Sequence, residues 1–315
     1  MLKIAFGPVP SRRLGQSLGI NNIPPKICSY ACIYCQLGRT IRMQIERDSF
    51  YQPGDVLRAA REKVNQTRAR GEAIDFLTLV PDGEPTLDIH LEQILTELRE
   101  LGIPLAVISN ASLIDREEVR RALKRADWVS LKVDSVRPDT WHAVDRPHGS
   151  LDLDRILQGI CSFADEFDGV LTTETMLVRG VNDHEDEVRE LARFLAHVGP
   201  DIAYLAVPTR PPAESWVEAS SETEIHRAFQ ILSEVLNRVE CLLGYEGNAF
   251  ASSGDAEADL LSITAVHPMR EDAVVQLLAD SDSGWDLVDR LIQRRDLVEL
   301  NYRGKRFYLR RVAIS

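Results

Sequence analysis

Three of the chain's five cysteines lie close together, in the segment Cys28-Ser-Tyr-Ala-Cys32-Ile-Tyr-Cys35. Thiolates hold iron–sulfur clusters, whereas a structural zinc site takes four protein ligands, usually as two close pairs. No fourth Cys or His lies near the triplet, and the next histidine downstream is His90. The spacing therefore predicts a [4Fe–4S] cluster held by three thiolates, with one iron open to another ligand. Three unconnected buried thiols are the alternative.

The composition is typical of a globular chain with reduced thiols. The 315 residues are 44% hydrophobic and carry a net charge of −12. Cys161 and Cys241 are isolated, so we expect no disulfide framework. The sequence shows no apolar run of membrane-spanning length and no signal-peptide pattern, which predicts a cytoplasmic protein with no membrane partner. The acidic balance argues against nucleic-acid binding by the whole chain but leaves local basic clusters open.

Apolar stretches of strand length alternate with helix-patterned stretches. This order predicts parallel strands joined by right-handed crossovers, and so an α/β fold built as a partial, open (β/α)6 barrel. Pro53 fits the first turn of a helix over 55–67, Asp115 can cap a helix over 116–125, and Ser221 with Glu224 forms a capping box for a helix reaching 239. The predicted strands span residues 14–20, 74–80, 105–109, 128–134, 170–178 and 202–207.

The pattern changes after the sixth unit. We predict a barrel over 1–245, a linker over 246–257 and a small domain over 258–315. Helical periodicity at 270–279 and 285–294, followed by two strand-like segments around Arg303-Gly-Lys305, is typical of a winged helix-turn-helix. Such a module could bind RNA or a protein, or pack on its own enzyme. Its basic residues are Arg290, Arg294, Arg295, Arg303, Lys305, Arg306, Arg310 and Arg311.

The cysteine motif, with Tyr34 just before its last cysteine, resembles the signature of radical SAM enzymes. The segment Gly7-Pro-Val-Pro-Ser-Arg-Arg-Leu-Gly-Gln-Ser-Leu-Gly19 and Arg210-Pro-Pro212 resemble the wyosine-synthetase-related Fe–S oxidoreductases. The resemblance implies that the open iron binds S-adenosylmethionine (SAM), that an electron from the cluster cleaves it, and that the 5′-deoxyadenosyl radical abstracts a hydrogen atom from a substrate. It also implies an electron donor such as ferredoxin or flavodoxin.

Polar residues at the carboxyl ends of predicted strands are candidate SAM ligands, because active sites of such folds gather there. Asp82-Gly83-Glu84 resembles the family's Gly-Gly-Glu motif, with Asp82 in place of the first glycine. The resemblance implies that Gly83 and Glu84 bind the methionyl amine; a plain turn is the alternative. Ser109 and Asn110 end the third strand, where they could meet a ribose or carboxylate or cap the next helix.

The next two strands add further candidates. Ser130, Lys132 and Asp134 alternate with apolar residues on a strand that should be apolar on both faces, which indicates a lined cavity. A structural Lys132–Asp134 pair is the alternative. On the fifth strand the resemblance implies contacts to the ribose and adenine by the face with Glu174 and Met176; the opposite face fits the same period. Tyr34 is a further predicted adenine contact.

The predicted substrate contacts are basic or aromatic. The stretch 135–150 follows the polar strand and is expected to be a loop at the active-site rim, where it could grip a stacked base or a peptide, or simply pack. An arginine in the proline-stiffened segment after the sixth strand could bind an anionic group or lie on the surface. The candidates are Arg12, Arg13, Trp141, His142, Arg146 and Arg210.

The sequence thus predicts a radical SAM enzyme that modifies RNA, by analogy with wyosine synthesis on tRNA. Wyosine synthetases use further upstream cysteines for a second cluster, and residues 1–27 contain none, so the wyosine ring closure itself is not expected. A protein, peptide or small-molecule substrate is the first alternative. The second is a non-enzymatic Fe–S redox sensor. The Gly83–Glu84 element and the polar strand argue against it, since a sensor needs no SAM cradle.

Overall fold

The computed structural model describes residues 4–243, 254–265 and 267–311. Its largest element is an open sheet of eight strands whose order in space follows their order in the chain. Strand β1 pairs antiparallel with β2, and all later neighbours pair parallel. The strands are β1 Ala5–Ser11, β2 Gly15–Ile20, β3 Phe76–Leu79, β4 Leu105–Ser109, β5 Trp128–Lys132, β6 Val170–Met176, β7 Ile202–Ala206 and β8 Val239–Leu242.

Helices in the crossovers cover one face of this sheet. Strand β4 shows the division, because Leu105 and Val107 pack in the main core with the helices, whereas Ala106 and Ile108 pack in a separate cluster on the other face. The sheet therefore has one core on each face, and the carboxyl ends of its parallel strands all lie at the same edge. The helices are α1 Pro53–Ala69, α2 Leu91–Leu98, α3 Glu117–Leu123, α4 Pro138–Asp145, α5 Leu153–Glu166, α6 Glu185–Val198 and α7 Glu222–Ser233.

The predicted α/β fold with an open parallel sheet is confirmed, and all six predicted strands are present. Two strands of the eight-stranded sheet were missed. Strand β1 contains two prolines, Pro8 and Pro10, which remove ladder donors and are tolerated because β1 lies at the sheet edge. Strand β8 begins at Val239, where the predicted helix was expected to end. Helix α7 instead ends at Ser233, although Ser221 Oγ does accept from Glu224 N (3.3 Å) as predicted.

The described residues from 254 onward, here called the C-terminal unit, form a second core of their own. The two predicted helices and the two predicted strands are present, and strand β11 lies between β9 and β10 in an antiparallel sheet. Residues 246–253 of the predicted linker lie outside the described residues, and its end is helical. The elements are α8 Ala256–Ile263, β9 Met269–Arg270, α9 Glu271–Asp280, α10 Asp286–Gln293, β10 Leu297–Tyr302 and β11 Lys305–Arg310.

Among the described residues, no helix combines the length and the apolar character needed to span a membrane.

Candidate active site

A cavity of about 280 Å³ opens at the carboxyl ends of the strands. Ser109, Lys132, Met176 and Ala206, which end four successive strands, all lie on its wall. The three motif cysteines lie there too, so the topology brings them to the edge where parallel folds place their active sites. The predicted site residues on the wall are Arg12, Arg13, Cys28, Cys32, Tyr34, Cys35, Gly83, Glu84, Ser109, Asn110, Ser130, Lys132, Glu174, Met176 and Arg210.

The segment 27–38, here called the cysteine loop, is held by backbone hydrogen bonds at both sides. Ile27 and Cys28 pair with residues 42 and 43 in a short parallel ladder. On the other side, Ile33 N donates to Val144 O (3.0 Å) at the end of α4. Within the loop, Cys35 N donates to Cys32 O (3.1 Å), which closes a turn between the last two cysteines.

Gly83 lets the turn after β3 lie directly against the cysteine loop. Its φ of +155° is in the region that favours glycine, and an added Cβ would lie 2.0 Å from Ile27 O. Glu84 N donates to the same oxygen (3.1 Å). The glycine is therefore required for the close approach that joins β3 to the segment carrying Cys28.

Glu84 is buried and accepts hydrogen bonds from its own turn and from the end of strand β4. Its Oε1 accepts from Thr86 N (3.0 Å), Thr86 Oγ1 (2.6 Å) and Ser109 Oγ (2.8 Å), and its Oε2 accepts from Asn110 N (2.7 Å). Burial raises the pKa of Glu84, and the hydrogen bonds from Thr86 and Asn110 oppose that rise. Asn110 in turn donates from Nδ2 to Ser29 Oγ (2.9 Å). The carboxylate thus joins the ends of β3 and β4, and the Glu84 backbone and the Asn110 side chain connect these ends to the cysteine loop.

The thiols sit in surroundings that disfavour a free thiolate. Burial, with Glu84 next in importance, raises the pKa of Cys28 to about 12. Burial and Asp145 raise the pKa of Cys32, whose Sγ lies 3.2 Å from Asp145 Oδ1. Burial also raises the pKa of Cys35, although Lys26 opposes it. Because buried thiols ionise readily only beside a cation, the donor set fits a cationic iron–sulfur centre.

Within the parts of the chain that the structure describes, no three Cys, His, Asp or Glu side chains group as the ligands of a single metal ion. In a [4Fe–4S] cluster each thiolate binds a different iron atom, so the thiolates need not converge on one point.

Glu174 lies between two cations on the cavity wall. Its Oε1 accepts from Lys132 Nζ (2.7 Å), and its Oε2 accepts from Arg13. Although burial alone would raise it, Arg13 and Lys132 lower the pKa of Glu174 to about 2. Lys132 Nζ also lies 4.8 Å from the centre of the Tyr34 ring. At neutral pH the wall therefore carries a fixed carboxylate with two cations around it.

Asp134 was predicted to line the cavity, but it lies two residues beyond the end of β5 and is buried away from the cavity wall. The buried Asp134 carboxylate instead accepts from Tyr34 OH and from Met176 N (2.6 Å). It therefore holds two wall residues in place. The alternative of a Lys132–Asp134 salt bridge is also not seen, since Lys132 pairs with Glu174.

Three predicted substrate contacts, Trp141, His142 and Arg146, do not line the cavity. The predicted rim loop is wrong for residues 138–145, which form helix α4. Trp141 is buried edge-on against Tyr30, with ring centres 5.9 Å apart, and its Nε1 donates to Tyr30 OH (3.2 Å). Arg146 pairs with Glu214 (2.6 Å). The Trp141 ring therefore packs in the core. Pro138, in the first helical turn, was the residue that indicated a helix here.

Sequence reasoning missed an ion pair on the wall, between Lys26 Nζ and Asp82 Oδ2 (3.2 Å). Both side chains are buried, and burial raises the pKa of Asp82 to about 6 against the opposing effect of Lys26. The position of Asp82, where the family motif has a glycine, was the available signal. Nothing in the local pattern identified Lys26 as its partner.

Comparison with known proteins agrees with this geometry. The model of the radical SAM superfamily matches residues 22–195. The chain belongs to the radical SAM superfamily. A UPF0026 protein of Methanocaldococcus jannaschii is 44% identical over 99% of this chain and 97% of its own length. A UPF0026 protein of Helicobacter pylori strain J99 is 35% identical over 67% of this chain and 68% of its own.

Two solved structures share the fold of this radical SAM protein. The structure of TYW1 with a lysine–pyruvate adduct bound is 17% identical, with a TM-score of 0.55 over 70% of this chain and 74% of that one. Streptococcus suis SuiB bound to S-adenosylmethionine is 15% identical, with a TM-score of 0.52 over 71% of this chain and 49% of that one. As a radical SAM enzyme, the protein uses a [4Fe–4S] cluster and SAM as its cofactors.

Glu84→Gln should destabilise the site and lower the iron content of the protein. An amide group would turn one acceptor into a donor facing Asn110 N or Thr86 N, at a cost of about 1–3 kcal/mol. We expect a lower melting temperature and less iron per chain than in the wild type. Glu100→Gln, which alters a solvent-exposed pair with Arg61, is the matched control. A melting temperature and an iron content equal to those of the wild type would contradict this structural role.

Glu174→Gln should destabilise the apoprotein by about 3 kcal/mol at neutral pH, because Lys132 and Arg13 would lose a buried partner. The pKa of Glu174 is lowered from 4.5 to about 2, so its stabilising effect is fully present above pH 4.5 and is lost as pH falls through 2. The difference in the free energy of unfolding between wild type and variant should therefore become smaller as the pH falls from 4.5 to about 2. Denaturant unfolding at several pH values measures this difference. Glu100→Gln, at the exposed pair with Arg61, should show no such change with pH. If this difference in free energy did not change with pH, the stabilising pairs of Glu174 with Lys132 and Arg13 would be contradicted.

Proposed function

We propose that this protein reductively cleaves SAM at a cluster held by Cys28, Cys32 and Cys35, and that the resulting 5′-deoxyadenosyl radical abstracts a hydrogen atom from RNA. One observation carries the first part. The three thiols line the same cavity as Gly83, Glu84 and the polar ends of β4, β5 and β6.

The charges on the cavity wall support a SAM site. The amino-acid end of SAM carries an ammonium and a carboxylate, and the wall offers both signs in the pairs Lys26–Asp82 and Lys132–Glu174. These side chains would orient the molecule next to the cluster. The proposed cofactor contacts are Tyr34, Gly83, Glu84, Ser109, Asn110, Ser130, Lys132, Glu174 and Met176, with Asp134 acting through Tyr34 and Met176. Arg12, Arg13 and Arg210 are the proposed substrate contacts.

The C-terminal unit supports an RNA substrate. Its three helices and three-stranded sheet occur in the order expected of the winged helix-turn-helix proposed from the sequence. Arg295, Arg303 and Lys305 are exposed in or next to its hairpin. Other arginines there are neutralised, for example Arg294 by Glu257 (2.8 Å). We therefore expect moderate, salt-dependent RNA affinity. A cytoplasmic ferredoxin or flavodoxin is the proposed electron donor.

A peptide substrate is the second candidate, favoured by strand β10. This strand lies at the edge of its sheet and exposes Val298 and Leu300, with 36% and 39% of their surface accessible. Such an edge can accept an added peptide strand. A fold relative, Streptococcus suis SuiB, has been solved bound to a precursor peptide, with a TM-score of 0.52.

Anaerobically reconstituted protein should release 5′-deoxyadenosine from SAM when a strong chemical reductant is added. Cys32→Ala should abolish this release, because the remaining two thiolates cannot hold the cluster in place. Cys161→Ala, which changes a thiol away from the cavity, should leave it unchanged. The product is measured by liquid chromatography and mass spectrometry. Cleavage retained in Cys32→Ala would contradict the cluster assignment.

For the RNA substrate, nucleosides of tRNA from a deletion strain should lack one modified species present in the parent strain. Complementation with the wild-type gene should restore that species, and the Cys32→Ala gene should not. Nucleoside mass spectrometry is the measurement. Identical profiles in the parent and deletion strains would contradict a tRNA substrate and turn attention to peptides.

A further inference from the structure

A chain of hydrogen bonds links the C-terminal unit to the last cysteine of the motif. It passes through Arg210, whose side chain is buried on the cavity wall. Arg210 Nη1 donates to Gln36 Oε1 (2.6 Å), and its Nη2 lies 2.9 Å from His267 Nε2. A guanidinium group can only donate, so His267 Nε2 is the acceptor. Gln36 directly follows Cys35, so the chain ends beside a cluster thiol.

Gln36 lies in the turn 35–38 of the cysteine loop, and backbone hydrogen bonds are made by the first and last residues of this turn. Cys35 N donates to Cys32 O (3.1 Å) and Gly38 N donates to Cys35 O (3.1 Å). The side chain of Gln36 is the one that connects this turn to Arg210. The position of the Gln36 side chain therefore depends on Arg210, which is far from Gln36 in the sequence.

The C-terminal unit is well placed to provide that contact. His267 N donates to Ile263 O (2.8 Å), which fixes the histidine to the end of helix α8. Ala265, between them, is buried against Phe6 of strand β1. The unit is thus seated on the edge of the main sheet, and His267 is 8% exposed.

A second hydrogen bond from the unit reaches the segment that carries Arg210. Tyr302 OH, at the end of strand β10, donates to Pro208 O (3.0 Å). Pro208 and Arg210 both line the cavity. The C-terminal unit therefore contacts the segment after β7 at two points, one on its backbone and one on a side chain.

We propose that the C-terminal unit is a structural part of the cofactor site, and that His267, acting through Arg210, is a positioning residue for Gln36 and the Cys35 turn. The inference rests on the proposed function in that this turn carries a cluster thiolate. It has a functional consequence. A substrate or partner that shifts the C-terminal unit also shifts the hydrogen bonds next to the cluster, so binding there is coupled to SAM cleavage.

The test compares holoprotein variants at His267. His267→Leu removes the acceptor, and His267→Gln keeps an acceptor oxygen that can reach Arg210. Lys63→Met is the matched control, because Lys63 Nζ contacts Asp259 Oδ1 (3.9 Å) between the main sheet's helix α1 and the C-terminal unit, and neither residue lines the cavity. The measurements are melting temperature, iron content, SAM affinity, and the EPR spectrum of the reduced cluster with and without SAM.

We expect His267→Leu to keep the iron content of the Lys63→Met control, to alter the EPR spectrum and to weaken SAM binding about tenfold, the effect of losing one charge-assisted hydrogen bond. His267→Gln should restore both the spectrum and the affinity. Gln36→Leu, made at the other end of the chain of bonds, should reproduce the altered spectrum, and it serves the same purpose if His267→Leu does not fold.

An EPR spectrum and SAM affinity in His267→Leu and Gln36→Leu equal to those of Lys63→Met would overturn the proposal. Failure of the wild type to cleave SAM would contradict the proposed function instead. In that case the EPR spectrum without SAM still decides the positioning role, because it reports on the surroundings of the cluster and not on turnover.

Discussion

The rest of the site depends on the hydrogen bonds that the buried Glu84 carboxylate accepts. The carboxylate accepts from the turn after β3, from Ser109 at the end of β4 and from Asn110 just after it, while the Glu84 backbone N–H donates to the cysteine loop. A buried carboxylate is tolerated only when its lone pairs are used, so each of these segments is held in one position. Gly83 makes the arrangement possible, since any side chain there would collide with Ile27 O.

The rest of the cavity follows the same rule that buried charges occur in pairs. Lys26 with Asp82 and Lys132 with Glu174 place opposite charges on the wall, and Arg13 adds a further cation next to Glu174. These pairs are costly to bury and offer little net stability. They suit the proposed SAM site, because a zwitterionic ligand needs partners of both signs.

The C-terminal unit changes how the molecule is understood. A module joined by a linker could act as a separate tether, but this one is seated on β1 and bonded to the segment after β7. Arg210 was predicted either to bind an anionic substrate group or to lie on the surface. The surface alternative is wrong, because Arg210 is buried on the cavity wall between Gln36 and His267. Arg210 therefore joins the C-terminal unit to the turn that carries Cys35.

The sequence by itself determined the chemistry and the fold class. The cysteine spacing, the alternation of strands and helices, and the polar ends of β4, β5 and β6 are local patterns, and most of these residues do lie at one cavity. The same patterns misplaced residues whose surroundings come from elsewhere in the chain. Asp134 faces inward because Tyr34 and Met176 N occupy its oxygens, and Trp141 is buried because Tyr30 packs against its ring.

Only the tertiary structure decided the partners. Lys26 with Asp82, Glu174 with Arg13, and Arg210 with His267 join residues that are far apart in the sequence. A side chain's type shows that it needs a partner when it is buried, but not which distant residue supplies it. Strand β8 also depends on the tertiary structure, since its four residues gain their strand geometry by pairing with β7. Local sequence specifies what each segment can do, and the packing of the segments against one another selects which of those possibilities occurs.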